Sequence, residues 1–532
     1  MINLIKSKDF YILFGLYFLS NAFFILNIEG VYWDGWVAFK QTDETITLLF
    51  QQIQHGIKGD FFLLLSHIGN GIISFRIFVF VAIFTIGILL YLILQNIKEL
   101  DKNALFFITL IFIVIPVNSA KISISVIPFL FPVLLFYIAF YLLSVYLKKP
   151  SIQLRLIVLI VFFTSFSTNS ILVFYFSIFF YIYYFKFNFS HTKYISKIKI
   201  IIIKYWDFIL LPFIYFIYKS IYLKPTGLYE GYNSISISNV LNAIKILFLN
   251  VDNSFIQVIY KSIYSTSAAW IYIFILLFFI VRKRNDILIT EKNNIFFFVG
   301  IVLFFLAIFP YAMVSKNAEF ESWNSRFQIL TPLGLSFILY FGLISLKKLS
   351  YFNNKVLLII IWLLIFSFVS KNISFQYEAL KDHFYSVSIG ENIRDNQQIK
   401  ENTTFIVNNN LTDSYLYNRR MIYYELNGIF KKSFKDEKRL AIRYDHYIDG
   451  LPNMDTIKKH KQYNFSEWKH DTPLLVTLSH NYKVRFGQNE YIELIYLNLF
   501  DKKQFLARAK QLTHITVEEL PMHSIKNTLN KD

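Results

Sequence analysis

The stretch "GIISFRIFVFVAIFTIGILLYLILQN" at residues 71–96 decides the fold class of this chain. It carries a single charged side chain, Arg76, and it exceeds the roughly 17–25 apolar residues that a transmembrane helix needs. Most of the other long apolar segments of the chain approach or exceed the same length. The sequence therefore predicts a polytopic α-helical membrane protein.

The composition agrees with this prediction. Of the 532 residues, 55% are hydrophobic and only 17% are charged, whereas a soluble protein of this length has more charge and fewer aromatic residues. The chain has no cysteine, which excludes disulfides and thiolate metal sites. The net charge of +18 comes from lysines and arginines in short loops between apolar segments. That distribution is typical of membrane topology and not of a nucleic-acid-binding surface, so no nucleic acid is expected as a partner.

Hydropathy predicts about eleven membrane spans, and the loop charges predict their orientation. Alternate loops are basic, which places the N-terminus in the cytoplasm and, with an odd number of spans, the C-terminal tail outside the cytoplasmic (inner) membrane. The predicted spans lie near residues 9–27, 71–96, 104–117, 122–147, 154–169, 170–187, 206–223, 264–281, 295–314, 330–346 and 356–370.

Two long outer loops, residues 28–70 and 224–263, contain amphipathic patterns. Apolar residues recur at helical spacing in both, and Ser238 is the expected N-cap of the helix in the second loop. Such helices lie flat in the membrane interface, although packing against the helical bundle explains the pattern equally well. The apolar positions are Ile46, Leu49, Phe50, Ile53 and Ile57 in the first loop, and Leu241, Ile244, Leu247 and Phe248 in the second.

The tail has a different texture. Residues 403–407, 474–478 and 491–500 are predicted as strands, and residues 415–434 as a helix. The chain is therefore expected to consist of a transmembrane domain, 1–375, and a small soluble mixed α/β domain outside the membrane, 376–532.

Two carboxylates follow the first span in "NIEGVYWDGWVAF", residues 27–39. A carboxylate can act as a general base, so Asp34 and Glu29 are the candidate catalytic residues. The usual alternative is a solvated helix end, which the position of Glu29 favours more than that of Asp34. Trp33 and Trp36 flank Asp34, which suits either anchoring in the membrane interface or stacking against a sugar.

Several cations lie close to the predicted outer surface. Cations can bind a phosphate leaving group, and the same residues can alternatively contact lipid headgroups. No nucleotide-binding loop, nucleophile elbow or zinc-protease motif occurs in the chain. The candidate substrate-binding residues, with one further carboxylate in the same short loop, are Arg76, Lys121, Lys316, Glu321 and Arg326.

The chain has a carboxylate in its first outer loop, amphipathic outer loops, about eleven predicted spans and an outer tail domain. In these features it resembles the GT-C superfamily, membrane glycosyltransferases that use polyprenyl-phosphate-linked sugars. Asp34 in "YWDGW" corresponds to that superfamily's catalytic carboxylate in the first outer loop. The segments "ESWNSRFQILTPLG" and "YNRRMIYYELNGIFKKSF" are similar to bacterial membrane proteins of envelope-polysaccharide synthesis. The chain departs from the family pattern because Glu29 and Asp34 are separated where a "DD" or "ExD" pair is common. This departure leaves open whether a divalent cation takes part.

The resemblance implies transfer of a sugar from a polyprenyl-phosphate carrier to a glycan or lipid acceptor at the outer face of the membrane. Asp34 would deprotonate the acceptor hydroxyl, and Arg326 and Lys316, with Lys121 or Arg76, would hold the lipid phosphate. Three alternatives share the same membrane: a polysaccharide polymerase or ligase, a flippase or transporter of lipid-linked sugars, and a non-catalytic assembly protein.

Overall fold

The computed structural model describes residues 7–53, 56–69, 71–187, 194–226, 229–231, 236–264, 293–348, 353–411, 421–436, 438–445, 473–484 and 486–520. The chain divides into two compact units. The first, here called the helical unit, comprises Met1–Ile25, Phe50–Lys121 and Val126–Phe375. The second, the sheet unit, comprises Leu26–Leu49, Ile122–Ser125 and Gln376–Asp532.

The division bears on the predicted domains in two ways. A boundary at residue 375 separates the units, as in the expected domains 1–375 and 376–532. The segments Leu26–Leu49 and Ile122–Ser125, however, belong to the sheet unit and not to the transmembrane part. The part of the first outer loop up to Leu49, with Glu29 and Asp34, therefore belongs to the same unit as the tail.

The described residues include five helices that are long and apolar enough to cross a membrane. The helices Ser196–Lys204 and Trp206–Tyr222, bent by 61° at their junction, provide a sixth candidate if they form one span. The presence of several apolar helices that could span a membrane is thus confirmed, while the total of eleven stays a prediction. The five helices are Ile72–Leu94, Ile124–Lys148, Asn169–Phe187, Asn294–Ala312 and Asn354–Asp395.

Other predicted spans are shorter in the structure. The first is divided into Lys8–Ser20 and Ala22–Leu26, because Asn21 ends the earlier helix and its side-chain amide donates to the carbonyl of Tyr17 at 2.9 Å. The predicted span 264–281 lies, apart from its first residue, outside the described residues. Three further apolar helices have fewer than 18 residues: Lys102–Val114, Ile152–Ser165 and Thr331–Ser345.

Two of the apolar helices, Asn293–Ala312 and Thr331–Ser345, approach each other closely at glycines. A Cβ atom on Gly334 would lie 2.4 Å from the backbone nitrogen of Phe304, and one on Gly300 would lie 2.9 Å from that of Ile338. Small residues at such crossings allow two backbones to approach closely within a membrane. This packing fixes the helix ends on either side of the loop that holds Lys316 and Arg326.

The predicted loop helices are present, with two corrections. In the first outer loop the apolar pattern is divided between Asp43–Gln52 and Gly56–His67. In the second loop the helix is Ile237–Val251, and its N-cap is Ser236, whose hydroxyl accepts from the amide of Asn239 at 3.2 Å. Ser238, the predicted cap, already lies inside the helix. Large apolar side chains of this helix are exposed, as an interfacial helix requires: Ile237, Leu241, Ile244 and Phe248.

Several shorter helices and turns precede the helix Asn354–Asp395 in the chain. The candidate span Asn169–Phe187 consists of the helices Asn169–Phe174 and Ser177–Phe187, and Ile124–Lys148 consists of a 3₁₀ turn, Ile124–Val126, and the helix Ile127–Lys148. The helix before the 61° bend has the full bounds Tyr194–Lys204. The remaining helices are Gly35–Ala38 and Gln257–Tyr264, with a π-helical turn at Asp252–Ile256 and 3₁₀ turns at Ser119–Ile122, Trp323–Gln328 and Leu346–Lys348.

The sheet unit contains a four-stranded mixed sheet. Its strands are β1 (Thr404–Asn409), β2 (Leu440–Arg443), β3 (Leu474–His480) and β4 (Thr513–Glu519), in the order β2-β1-β3-β4. β1 is parallel to both β2 and β3, whereas β4 is antiparallel to β3. The helices of this unit after the long helix are Gln397–Glu401, Tyr423–Phe434, Gln488–Phe500 and Lys502–Ala509, with a 3₁₀ turn at Lys510–Leu512.

The strand predictions for residues 403–407 and 474–478 are confirmed by β1 and β3, while the strand predicted at 491–500 is wrong. Those residues belong to the helix Gln488–Phe500. Glu490, in the first turn of that helix, accepts from the backbone amide of Gly487 at 2.7 Å, which is one half of a capping box and favours a helix over a strand. Of the predicted helix 415–434, the part from Tyr423 to Phe434 is confirmed, and residues 415–420 lie outside the described part of the chain.

The helix Asn354–Asp395 has 42 residues and begins with the last predicted span, 356–370. At about 1.5 Å per residue it is about 63 Å long, roughly twice the thickness of the hydrocarbon core of a bilayer. The expected span is thus the first part of a continuous helix that extends past residue 375 into the sheet unit.

Candidate functional site

Asp34 lies at the start of the short helix Gly35–Ala38 in the sheet unit. Its carboxylate is half-buried, and its Oδ1 atom accepts a hydrogen bond of 2.5 Å from the hydroxyl of Tyr424. Tyr424 belongs to the helix Tyr423–Phe434. Among the described residues, the second oxygen of Asp34 accepts no side-chain hydrogen bond, so Tyr424 orients this carboxylate through Oδ1 alone.

The two tryptophans beside Asp34 are packed in the interior. Trp33 is 3% exposed and Trp36 is 5% exposed. A Cβ atom on Gly428 would lie 2.5 Å from the indole of Trp36, so only glycine fits at that position. Both rings are thus occupied by packing contacts, and their assignment to substrate binding stays a prediction.

Trp33 also adopts an unusual backbone conformation. Its φ angle is 48°, a left-handed value that costs a non-glycine residue on the order of 1 kcal/mol or more. Both the backbone and the side chain of the neighbouring Tyr32 are hydrogen-bonded. Its carbonyl accepts from the hydroxyl of Ser123 at 3.0 Å, and its own hydroxyl donates to the carbonyl of Ala379 at 2.6 Å. These contacts hold the turn in which Trp33 is buried while the adjacent Asp34 remains accessible.

Glu29 is engaged in an ion pair. Its carboxylate lies 2.6 Å from the ammonium group of Lys502, which also donates to Asn498 at 3.1 Å. Burial lowers the pKa of the neighbouring Lys432 to about 8, and the charge of Glu29 opposes this shift. The contacts of Glu29 indicate a structural role within the sheet unit, and its assignment to catalysis stays a prediction.

Arg326 is the best-defined candidate in the helical unit. Its guanidinium is buried, 8% exposed, between the rings of Trp323 and Phe327, with ring centres 4.3 and 4.4 Å away. It donates to the carbonyl of Trp323 at 3.0 Å and to the amide oxygen of Asn324 at 3.2 Å. Both acceptors are neutral, and no carboxylate of the described residues lies within ion-pair distance of Arg326.

Lys316 provides a second cation in the same loop. Its ammonium group lies 5.6 Å from the centre of the Phe327 ring. Burial and, to a smaller extent, the positive charge of Arg326 lower the pKa of Lys316 to about 7. Two cations that repel each other in a partly buried place favour an anion as a ligand, because an anion would neutralise both.

The other candidates of the helical unit have structural contacts. Lys121 is buried, and it donates to the amide oxygens of Asn21 at 2.8 Å and Asn372 at 3.0 Å. Burial lowers the pKa of Lys121 to about 7. Arg76 is buried with its guanidinium 5.0 Å from the centre of the Phe24 ring, in the helix Ile72–Leu94.

Glu321 forms an ion pair with Lys371 within the helical unit. Its φ angle is 63°, so it shares with Trp33 the left-handed conformation that non-glycine residues seldom adopt. For Lys121, Arg76 and Glu321 alike, the observed partners are groups of the helical unit itself, and their assignment to substrate binding stays a prediction.

The structure thus divides the predicted site between the two units. Asp34, Glu29, Trp33 and Trp36 belong to the sheet unit, and Arg326, Lys316, Lys121, Arg76 and Glu321 belong to the helical unit.

Sequence reasoning missed Tyr424, since nothing near it in the chain connects it to Asp34. The described residues also contain no group of three or more histidine, aspartate or glutamate side chains that would hold a metal ion.

No family model, curated protein or solved structure is significantly similar to this chain. The class of protein that the structure defines is a mostly helical chain with several candidate membrane spans and a small C-terminal mixed sheet. Its function is therefore inferred from the residues described above.

Proposed function

We propose that the chain is a glycosyltransferase of the cytoplasmic membrane that moves a sugar from a polyprenyl-phosphate carrier to an envelope glycan or lipid acceptor at the outer face. The observation that carries the proposal is the environment of Arg326. A buried guanidinium beside Lys316, with only neutral acceptors among the described residues, lies in a unit built of apolar helices. A phosphate joined to a lipid tail has the charge and the apolar part that match such a place.

In the proposed reaction, Arg326 and Lys316 bind the phosphate of the carrier. The planar guanidinium suits two phosphate oxygens at once. As the bond between the sugar carbon and the phosphate oxygen breaks, negative charge increases on that oxygen, and the two cations stabilise it. No external energy source is required, because the phosphate-linked sugar is already activated.

Asp34 supplies the other half of the chemistry. The acceptor hydroxyl attacks the sugar carbon and forms the new glycosidic bond, and its proton passes to Asp34 as the general base. The hydrogen bond from Tyr424 to Oδ1 holds the carboxylate in one orientation. The second oxygen is the one proposed to take the proton.

The Asp34→Asn variant tests this function. Asparagine keeps the size of the side chain and can accept from Tyr424, but it cannot take up the proton. General bases contribute about 10²- to 10⁴-fold in rate, so we expect a folded, inserted protein that has lost sugar transfer by about that factor. The measurement is transfer from a polyprenyl-phosphate sugar by purified protein, or glycan modification in cells.

Glu29→Gln is the matched control for Asp34→Asn. It also removes one carboxylate of the same loop, but Glu29 is already paired with Lys502, so we expect it to keep more activity. Equal activity of Asp34→Asn and the unmodified protein would refute the proposed mechanism.

The membrane orientation is part of the proposal and has its own test. The loop charges favour a cytoplasmic N-terminus and a tail outside the cytoplasm. A reporter that is active only outside the cytoplasm, fused after Asp532, should give a signal. A well-expressed but silent fusion would reverse the proposed orientation.

A transporter of lipid-linked sugars is the second candidate function. It is favoured by the 61° bend between the helices Ser196–Lys204 and Trp206–Tyr222, since broken helices commonly form binding sites in transporters. A transporter would need the cations but not the base. Normal function of Asp34→Asn combined with loss of function in Arg326→Ala would therefore favour transport over sugar transfer.

A further inference from the structure

Two lysines of the helical unit resemble Arg326 because their observed hydrogen-bond acceptors are neutral. Lys58 is 4% exposed, and its ammonium group donates to the carbonyl of Ser167 at 2.7 Å and to the hydroxyl of Thr168 at 3.1 Å. Lys219 donates to the amide oxygen of Asn169, the next residue in the chain. The two ammonium groups are therefore held by consecutive residues.

All acceptors of these two lysines are neutral. Within the described ranges, no carboxylate lies at ion-pair distance from Lys58 or Lys219, although Asp60 is on the same helix as Lys58 and is exposed. Burial, and the positive charge of Lys219, lower the pKa of Lys58 to about 7. Two like charges thus lie close together, and no described residue provides a counter-charge for either of them.

A polar atom beside the lysines also lacks a partner. The hydroxyl oxygen of Ser167 is buried and makes no hydrogen bond to any described residue. Buried polar atoms are hydrogen-bonded in the great majority of cases, so an unsatisfied hydroxyl beside two uncompensated cations indicates a missing ligand. The two ammonium groups can only donate and the hydroxyl can donate as well, which fits a ligand that supplies several acceptors.

From these contacts we propose that Lys58, Lys219 and Ser167 form a phosphate-binding subsite that takes the phosphoryl group of a lipid. The subsite is separate from Arg326 and Lys316 and does not depend on the proposed sugar transfer. An anion bound there would neutralise the two ammonium groups and accept from Ser167.

The surroundings of the subsite indicate that the phosphoryl group belongs to a lipid. Lys219 is half-buried on the helix Trp206–Tyr222, where the neighbouring side chains Phe216, Ile217 and Tyr222 are exposed. Large apolar side chains at the surface of a candidate span are suited to contact with acyl or polyprenyl chains. The loop charges predict that Lys58, the segment 167–170 and the end of that helix lie on the outer side.

A connection between this subsite and the first pair of cations runs through the segment 167–170. The hydroxyl of Ser170 lies 2.9 Å from that of Tyr311, whose ring is 5.0 Å from the ring of Phe327. Phe327 in turn contacts the guanidinium of Arg326. A chain of contacts within one unit thus connects the segment 167–170, which holds Lys58 and Lys219, with Arg326.

The test measures bound lipid by native mass spectrometry of the full-length protein in detergent. The probes are a short-chain polyprenyl monophosphate and phosphatidylglycerol, added in separate titrations. The unmodified protein should bind two phosphoryl lipids per chain, and Lys219→Ala should bind the second about tenfold more weakly. Lys58→Met, which keeps an apolar stem of similar length, should have the same effect. Whichever probe shows this loss identifies the source of the phosphoryl group.

Two controls make the result decisive. Lys149→Ala removes an exposed lysine of the same unit and should leave both affinities unchanged. Arg326→Ala should weaken one lipid and leave the site at Lys58 and Lys219 filled. If Lys219→Ala and Lys58→Met bind both probes as tightly as Lys149→Ala, the subsite does not exist. If a variant loses sugar transfer but still binds both lipids normally, that result concerns the proposed sugar transfer and not this subsite.

Discussion

Charged side chains have different partners in the two units. In the sheet unit, two cations pair with carboxylates: Lys502 with Glu29 at 2.6 Å, and Arg439 with Asp436 at 2.7 Å. In the helical unit, the cations Lys58, Lys121 and Arg326 are held by carbonyl, hydroxyl and amide oxygens. The helical unit has ion pairs as well, between Arg155 and Asp207 and between Lys371 and Glu321, so the contrast concerns particular residues.

The contrast shows where an anionic ligand can bind. An ion pair compensates its own charge, and an exposed pair stabilises a protein by about 0–1 kcal/mol. A buried cation with neutral acceptors has no opposite charge to offset the cost of its burial, and a bound anion would supply one. The contrast agrees with the proposal that the helical unit binds phosphate and that Asp34 of the sheet unit, held by Tyr424, moves a proton.

Replacement of Arg326 is the strongest test of this contrast. Hydrogen bonds to a charged group contribute about 1.5–3 kcal/mol, so Arg326→Ala should weaken binding of the lipid-phosphate donor by about 10- to 100-fold. Arg326→Lys keeps the charge but not the planar fork, and it should recover only part of the loss. Donor affinity is the measurement, with Lys149→Ala as the control for loss of one charge. Unchanged affinity in Arg326→Ala would mean that the residue only packs against Trp323 and Phe327.

Replacement of Lys121 tests how much stability is lost when a lysine is buried with only neutral acceptors. Burial lowers its pKa from about 10.5 to about 7, so between these values the unfolded chain binds a proton that the folded chain does not. The free energy of unfolding therefore rises with pH in this window, and the contribution of Lys121 is fully present only above the unfolded pKa. Between pH 7 and 9 the rise in the free energy of unfolding that comes from Lys121 is at most about 2–3 kcal/mol.

The measurement is the melting temperature in detergent at pH 7 and at pH 9. Lys121→Met removes the titrating group, so its melting temperature should rise by a few degrees less than that of the unmodified protein. Lys149→Met, at an exposed position, is the control. Lys58 and Lys316 titrate in the same window in every variant, so only the difference between variants reports on Lys121. If the melting temperatures of all three proteins change equally between pH 7 and pH 9, the burial of Lys121 does not lower the stability of the protein.

Tyr424→Phe should give the smallest of these effects. It removes one hydrogen bond to Asp34 and leaves the carboxylate in place, which corresponds to about 1 kcal/mol and a roughly fivefold lower kcat. Because Tyr424 positions Asp34 and is not proposed to bind the donor, the KM for the donor should not change. A change in KM at constant kcat would instead place Tyr424 in substrate binding.

The sequence predicted the part of this account that depends on local patterns. Arg326 and Lys316 could be selected because they lie in a short polar loop between apolar segments, and Asp34 because it follows a span. The apolar helices and the strands β1 and β3 were predicted for the same reason: hydrophobic length and alternation are properties of contiguous residues.

The rest depends on contacts between distant residues. The hydroxyl of Tyr424 reaches Asp34 across 390 positions of the chain. Trp33 and Trp36 have the same sequence pattern whether they lie at a membrane interface or inside a protein, and only the fold shows that they are buried. Lys58 was missed since a lysine in a mixed polar and apolar helix is ordinarily solvated, and its burial against the segment 167–170 has no local signal.

The measurement that tests the central claim most directly separates donor binding from sugar transfer in the same two variants. Purified Asp34→Asn and Arg326→Ala are compared with the unmodified protein for affinity toward a polyprenyl-phosphate sugar and for its transfer to an acceptor. The proposed function predicts that Asp34→Asn binds the donor normally and fails to transfer the sugar, whereas Arg326→Ala binds the donor about 10- to 100-fold more weakly and loses transfer for that reason. Normal transfer by Asp34→Asn, or normal donor binding by Arg326→Ala, would contradict it.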